Sequence, residues 1–295
     1  MRPTSLDSSA EIEKIAREVL KGSKGLGVFP TPVDKIVSFA ELTVAQDLDL
    51  GTIEPGFIPR RFEFAKAALR KVLGLIDFRI KTIYLDQSQI ESRKNFIKLH
   101  ETGHDVLVWQ KDVLGRTDDE VTIAPEVKDT FEAEASYFAS CILFQLERFE
   151  EEAAKYPLSL KSARALAQKF GGSIQASVRR YVQTSRKRCA VLVLRQPEVG
   201  VMPFRVAIRN IFESPSFMKE FGVIVWPEEC GLTFPFVLDI KNGRRMHEDG
   251  VVNVETQQGE PLTLAYHFFS NSYTYFVFLF PPGEHIRSRM TILER

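Results

Sequence analysis

The chain has 295 residues, 39 acidic and 39 basic side chains, and a hydrophobic content of 44%, the make-up of an ordinary soluble globular protein with room for two domains. Zero net charge excludes a molecule that acts as a whole as a polycation on nucleic acid or membrane surfaces, and leaves only local patches for such contacts. Cys141, Cys189 and Cys230 are widely spaced and form no Cys-x-x-Cys, which excludes a disulfide framework and a thiolate metal cluster and suits a reducing cytosol. The first ten residues lack an apolar core, so no secretion signal is expected. The most apolar run, Tyr273 to Pro282, is too short to span a bilayer, so the expected location is cytoplasmic, with no membrane partner.

Residues 8–22 carry Ile12, Ile15, Ala16, Val19 and Leu20 at helical spacing, and Gly22, Gly25 and Gly27 end that helix. Pro32 suits the first turn of a second helix, with Thr31 placed to cap it. Glycines and prolines between 51 and 60 mark a loop, and residues 61–73 look helical, with Phe64, Ala67, Ala68 and Val72 inward. Residues 75–86 alternate apolar and polar side chains and read as strand with one turn or slip. Lying just before the next helix, that strand has two readings: an edge on which an extended substrate backbone pairs, or plain core.

The next helix holds His100-Glu101-Thr-Gly-His104. Positions four apart share a helix face, so both imidazoles can address one point, and Glu101 can reach a water held there. Zinc peptidases build their sites this way, with two neutral imidazoles on the metal and a carboxylate as general base. The bland alternative is an amphipathic helix with two polar residues near its edge. A third ligand decides between them. After a polar loop over 111–130, residues 130–146 form an apolar helix with Phe131, Ala135, Phe138 and Ile142 as its buried stripe. Glu134 points along that stripe, where a carboxylate is expensive without a charge partner, and a divalent zinc is such a partner. Glu134 is therefore the expected third ligand. Glu132, further round the helix, is the second choice, and an arginine salt bridge is the alternative use of Glu134.

These stretches resemble the ImmA/IrrE family of bacterial metallopeptidases. The likeness rests on Pro32-Val-Asp-Lys-Ile, on Ile83-Tyr-Leu leading into Phe96-Ile-Lys-Leu-His100-Glu-Thr-Gly-His104, on Glu134-Ala-Ser-Tyr-Phe-Ala139, and on Leu166-Ala-Gln-Lys-Phe-Gly-Gly-Ser173. Ser136 stands where the family has Asn and Gly172 where it has Val, and the family's Pro is missing at Phe144-Gln-Leu146. The resemblance implies a cytoplasmic zinc endopeptidase that cuts a helix-turn-helix transcriptional repressor and so releases stress-response or mobile-element genes. His100, His104 and Glu134 would be the zinc ligands and Glu101 the catalytic base. Tyr84 and Tyr137 are oxyanion candidates by proximity alone, and each also reads as a core tyrosine. The rival reading is a non-proteolytic regulatory protein that binds DNA or a repressor, its metal site structural or vestigial.

Between Lys155 and Arg188 stand nine Lys or Arg and no acidic residue, and within that stretch Ser159–Lys169 and Ser173–Gln183 read as two short helices around Gly171-Gly172. This pair reads either as a helix-turn-helix-like surface for DNA phosphates or as a solvated basic face. Beyond residue 188 strands dominate: 189–195, 204–208, 223–226, 234–238, 262–269, 273–280 and 286–293, with a short helix at 214–221 and turns at Asn242-Gly243, Asp249-Gly250 and Gln258-Gly259. Their aromatics either line a ligand pocket or form sheet core. His247, His267 and His285 show no ligand spacing. The expected fold is α+β: a mainly helical zincin-like peptidase domain with a small sheet (1–150), a basic helix-turn-helix-like connector (151–188), and a β-rich C-terminal domain (189–295) for sensing or substrate recruitment.

Overall fold

The computed structural model describes residues 8–50, 74–114, 124–198, 200 and 202–284. The loop expected at 51–60, the helix at 61–73, the strand at 286–293 and His285 lie outside them. Helix and sheet are mixed, as in an α+β protein. The chain divides into two compact units, one of residues 1–149 with 168–173 and the other of 150–167 with 174–295.

In the first unit, α1 (Ser9–Gly22) buries Ile12, Ala16, Val19 and Leu20 at the spacing that forms its apolar stripe. Helix α2 (Val33–Phe39) starts after Pro32, but Thr31 does not cap it. The Thr31 hydroxyl is buried and donates to the Leu143 carbonyl at 2.7 Å, so a tertiary hydrogen bond outcompetes the local one. The stretch 75–86 is two strands, β2 (Gly74–Asp77) and β3 (Thr82–Leu85), paired antiparallel across a turn at Lys81, whose φ is 53°. A further strand, β1 (Thr43–Asp49), pairs parallel with β3, giving the order β1-β3-β2. Sequence reading did not find β1, because its two acidic residues and glutamine break the apolar alternation.

Helix α3 (Glu91–Val106) follows. It ends at Leu107, whose extended backbone turns the chain into α4 (Val108–Leu114). Helix α5 (Pro125–Leu143) begins earlier than the expected 130, because Pro125 supplies the first helical turn. Gly103 sets how closely α3 and α5 approach: a Cβ there would stand 3.1 Å from Phe138 Cδ1 and 3.2 Å from the Ala135 Cα.

The second unit is built on one antiparallel sheet of β4 (Ala190–Leu194), β5 (Val206–Glu213), β6 (Glu229–Cys230), β7 (Met246–Glu255), β8 (Pro261–Ser270) and β9 (Tyr275–Phe280). The order across it is β6-β5-β4-β9-β8-β7. Helices preceding the sheet are α6 (Arg148–Ala153), α7 (Leu160–Phe170) and α8 (Ile174–Gln183). Two more, α9 (Pro215–Phe221) and α10 (Pro235–Lys241), lie between strands.

Leu192, Phe268 and Leu279 on one face of the sheet pack with Phe217 of α9 and Phe236 of α10, while Tyr181 of α8 sets its ring 5.9 Å from Phe278 on the other. Cover on both faces explains why β4 and β9 are apolar at almost every position. It also makes Phe236, Tyr266, Phe268 and Phe278 core residues, whereas Tyr273 in the β8–β9 turn is exposed.

Two expected strands and one expected turn fold otherwise. Residues 234–238 begin α10, with Pro235 in its first turn. Within 223–226 only Ile224 bridges, to Thr256. Asp249-Gly250 sits inside β7 at a register shift, where bare Gly250 admits the Tyr266 ring.

Several basic residues of 155–188 are engaged inside the second unit. Lys161 meets Glu248 at 2.8 Å, the Arg164 guanidinium lies 4.0 Å over the Phe269 ring, Arg179 lies 5.2 Å over Phe212, and Arg188 pairs with Glu284 and Glu220. Among the described residues no helix is long and apolar enough to cross a membrane.

Candidate metal centre

His100, Glu101 and His104 lie on the α3 face that packs against α5 and the β2–β3 hairpin, and all three are buried. The i, i+4 spacing brings the two Nε2 atoms to 3.1 Å from one another. The third donor of the cluster differs from the one the sequence pointed to. Glu132, not Glu134, converges with the histidines, its carboxylate oxygens 3.3 Å from His100 Nε2 and 3.7 Å from His104 Nε2. Glu132 and Ser136 sit four apart on α5 and therefore share a face, and both address His100: the Ser136 hydroxyl lies 3.3 Å from its Nδ1.

Glu134 is buried as expected but is held by other partners. Its Oε2 accepts from Trp109 Nε1 at 2.8 Å and Gln110 Nε2 at 2.7 Å, and its Oε1 accepts from the Ser8 hydroxyl. The premise that a buried carboxylate must find positive charge fails because three neutral donors suffice. Glu132 keeps 33% of its side chain exposed, so it stands at the solvent side of the cluster.

The electrostatics fit a shared cation. Burial opposes a charge on His100, but the hydrogen bond to Glu132 and the negative charges of Glu101 and Glu132 raise its pKa. His104 moves the other way, to about 4, through burial and the neighbouring His100. Burial would raise the Glu132 carboxyl, yet the two imidazoles hold it down. Burial also pushes Glu101 up to about 7, against the pull of His100 and with the help of Glu132.

Ligand atoms about 2.0–2.2 Å from a tetrahedral zinc stand roughly 3.3–3.6 Å from one another. The separations here, 3.1, 3.3 and 3.7 Å, bracket that range. Two imidazoles and one carboxylate are also a donor set that zinc accepts while keeping a fourth position for water. The three residues fit the metal by distance and by chemistry.

Glu101 packs on β2. A Cβ added to Gly74 would lie 3.1 Å from Glu101 Oε1 and 2.2 Å from Ile97 Cγ2, so only glycine lets this strand lie against the carboxylate. Of the oxyanion candidates, Tyr137 donates its hydroxyl to Glu13 on α1, and Tyr84 is buried within β3. Sequence reasoning missed Trp109, Gln110, Ser136 and Gly74. Only Ser136 carried a usable signal, its spacing from Glu132.

No curated protein matches the chain. Among solved structures, a Mycobacterium tuberculosis transcriptional regulator is similar in fold, with 11% sequence identity and a TM-score of 0.50 over 93% of this chain and 77% of that one. Residues 60–181 match the model of the IrrE N-terminal-like domain, Peptidase_M78, a span that holds His100, Glu101, His104 and Glu132. Over that span the chain is similar to the IrrE N-terminal-like domain, which is metallopeptidase-like.

Proposed function

We propose that this protein is a zinc-dependent endopeptidase of limited specificity. Its substrate class in this reading is a helix-turn-helix transcriptional repressor of a bacterial cytoplasm, and its cut switches on stress or mobile-element genes. The observation that carries the catalytic part is the convergence of His100, His104 and Glu132 beside a buried carboxylate, Glu101, that is not one of the three donors. A metal site with a purely structural role has no need of that extra acid.

Within this reading His100, His104 and Glu132 hold the zinc, which when bound supplies Lewis acidity to a water and to the scissile carbonyl. Glu101 takes the proton from the attacking water and passes it to the leaving amine. A carboxyl whose pKa burial has brought to about 7 is matched to both halves of that transfer. The repressor as substrate rests on the family resemblance of the motifs around His100 and Glu134.

The test is incubation of the purified protein with the repressor encoded nearest its own gene, followed by mass spectrometry of the fragments. Wild type should cut at one or a few bonds. Glu101→Gln should keep its zinc and lose cleavage by about 100-fold or more, the range for removal of a general base. If Glu101→Gln supports the full biological response, the function is binding, and the non-proteolytic regulatory reading takes its place.

A further inference from the structure

The side chain of Gln110 is buried, and its amide can point only one way. Its Nε2 lies 3.1 Å from the Phe131 carbonyl oxygen and 2.7 Å from Glu134 Oε2. Both neighbours are acceptors, so the NH2 group must face them; a flipped amide would set its oxygen against a carbonyl and a carboxylate. The Gln110 oxygen then faces His104 Nδ1 at 2.7 Å. An amide oxygen only accepts, so Nδ1 must carry a hydrogen. His104 Nε2, on the side of His100 and Glu132, is left with its lone pair.

We infer that Gln110 and Glu134 form a positioning relay that locks His104 in the tautomer able to bind metal. Glu134 anchors the relay, itself held by Trp109 Nε1–H and the Ser8 hydroxyl. Its negative charge polarises the Gln110 amide, which strengthens the hydrogen bond to Nδ1 and makes Nε2 a better donor to a cation. The backbone is arranged for this purpose. Leu107 interrupts the helix right after the motif, and from α4 Trp109 and Gln110 both reach α5. Glu134 and Glu132, two residues apart on α5, therefore do different work: Glu132 faces the histidine nitrogens directly, and Glu134 acts on His104 through an amide.

The inference rests on the metal reading above, so its test needs a readout that does not require metal. The nitrogen shifts and ring-proton correlations of His104 in metal-free, full-length protein report its tautomer. Wild type should show hydrogen on Nδ1, and Gln110→Ala should show a mixture or the opposite tautomer. Chelator competition supplies the second readout, with melting in excess chelator as the control for folding.

Gln110→Ala and Glu134→Ala should each weaken zinc binding roughly 10–100-fold, the usual effect of removing a partner behind a metal-bound imidazole. Glu134→Gln, which still offers an oxygen to the Gln110 NH2, should lose less than Glu134→Ala, a gradation that a packing defect alone would not produce. A wild-type His104 with hydrogen on Nε2, or a folded Gln110→Ala with wild-type tautomer and zinc affinity, overturns the relay. If wild type binds no zinc but shows the expected tautomer and its loss in Gln110→Ala, the relay stands and the peptidase reading falls.

Discussion

The second half of the helix that carries His100 and the strand that carries Phe278 are both largely buried, and they bury opposite chemistry. Around α3 the buried residues include His100, Glu101, Thr102, His104, Asp105, Gln110 and Glu134, linked by hydrogen bonds and ion pairs such as Lys81 to Asp105 at 2.7 Å. In the sheet of the second unit the buried residues are Val191, Leu192, Val193, Phe276, Phe278 and Phe280, enclosed by helices on both faces. Beside the sheet, Asp239 of α10 is a buried polar residue that accepts from Tyr266 at 2.8 Å, lies 2.9 Å from His247 Nδ1, and pairs with Arg244. Apolar burial stabilises by about 25 cal/mol per Å². Buried polar networks roughly break even and specify geometry instead. The contrast therefore separates a region organised for chemistry from one organised for stability, and substitutions in the two should have opposite signatures.

The largest effect is expected at the site. Glu132→Gln removes a charged donor of the cluster and should weaken zinc binding by more than the roughly 10–100-fold expected of an outer partner. Melting in excess chelator should change little, because Glu132 is one-third exposed. Chelator competition on Glu132→Gln and Glu134→Gln side by side decides which carboxylate is the ligand. Weaker binding by Glu134→Gln would return that role to Glu134.

Next in size is the reverse signature. Phe278 is fully buried, 5.9 Å from the Tyr181 ring and 6.0 Å from that of Phe280. Phe278→Ala should destabilise the second unit by about 3–5 kcal/mol. Below its lowered melting temperature the variant should still take up zinc with wild-type affinity. Loss of zinc affinity in the folded variant would mean that the site depends on the sheet, and the separation would fail.

A smaller effect is expected at Gly250. A Cβ there would stand 2.1 Å from Tyr266 Cζ. The ring has no free retreat, since its hydroxyl is tied to Asp239 and Phe236 packs 6.0 Å away. Gly250→Ala should cost about 1–3 kcal/mol as an overpacking change, measured by denaturant unfolding. A neutral result would show that β7 bends away easily at its register shift.

How much of this was legible in the sequence follows the same division. The spacing of His100 and His104 was readable because helical geometry alone brings the two nitrogens together. The sequence pointed to Glu134 because depth of burial was taken as the mark of a ligand, whereas the donors that converge are those of His100, His104 and Glu132. The partly exposed Glu132 faces the histidines, and the deeper Glu134 faces Trp109 and Gln110. That pair could not be read, because the break in the helix at Leu107 has no sequence marker. In the second unit β4 and β9 were plain from their unbroken apolar runs, whereas Phe234-Pro-Phe-Val-Leu238 is just as apolar and forms a helix. Apolar runs report burial and not period, and there only Pro235 in the first helical turn hinted at the outcome.

The smallest expected effect tests whether the polar side of the contrast reaches the approach to the site helix. Asp86 is buried between β3 and α3. Its Oδ1 accepts from the Ser88 backbone N–H at 2.9 Å and the Ser88 hydroxyl at 2.6 Å, and its Oδ2 from the Gln89 amide at 2.6 Å. Burial alone would raise its pKa, but these hydrogen bonds and the charge of Arg93 outweigh burial and lower it. A carboxylate bound more tightly in the folded state stabilises fully above its unfolded value of about 3.9, and that stabilisation is lost as pH falls below it through the folded value. Asp86→Ala should therefore cost about 1–2 kcal/mol at neutral pH, by loss of the bonds that fix the turn. The difference from wild type should hold steady from pH 7 to about 5 and shrink in stronger acid. A difference that persists unchanged well below that range would mean that packing of the side chain, and not its charge, sets the start of the helix that carries His100.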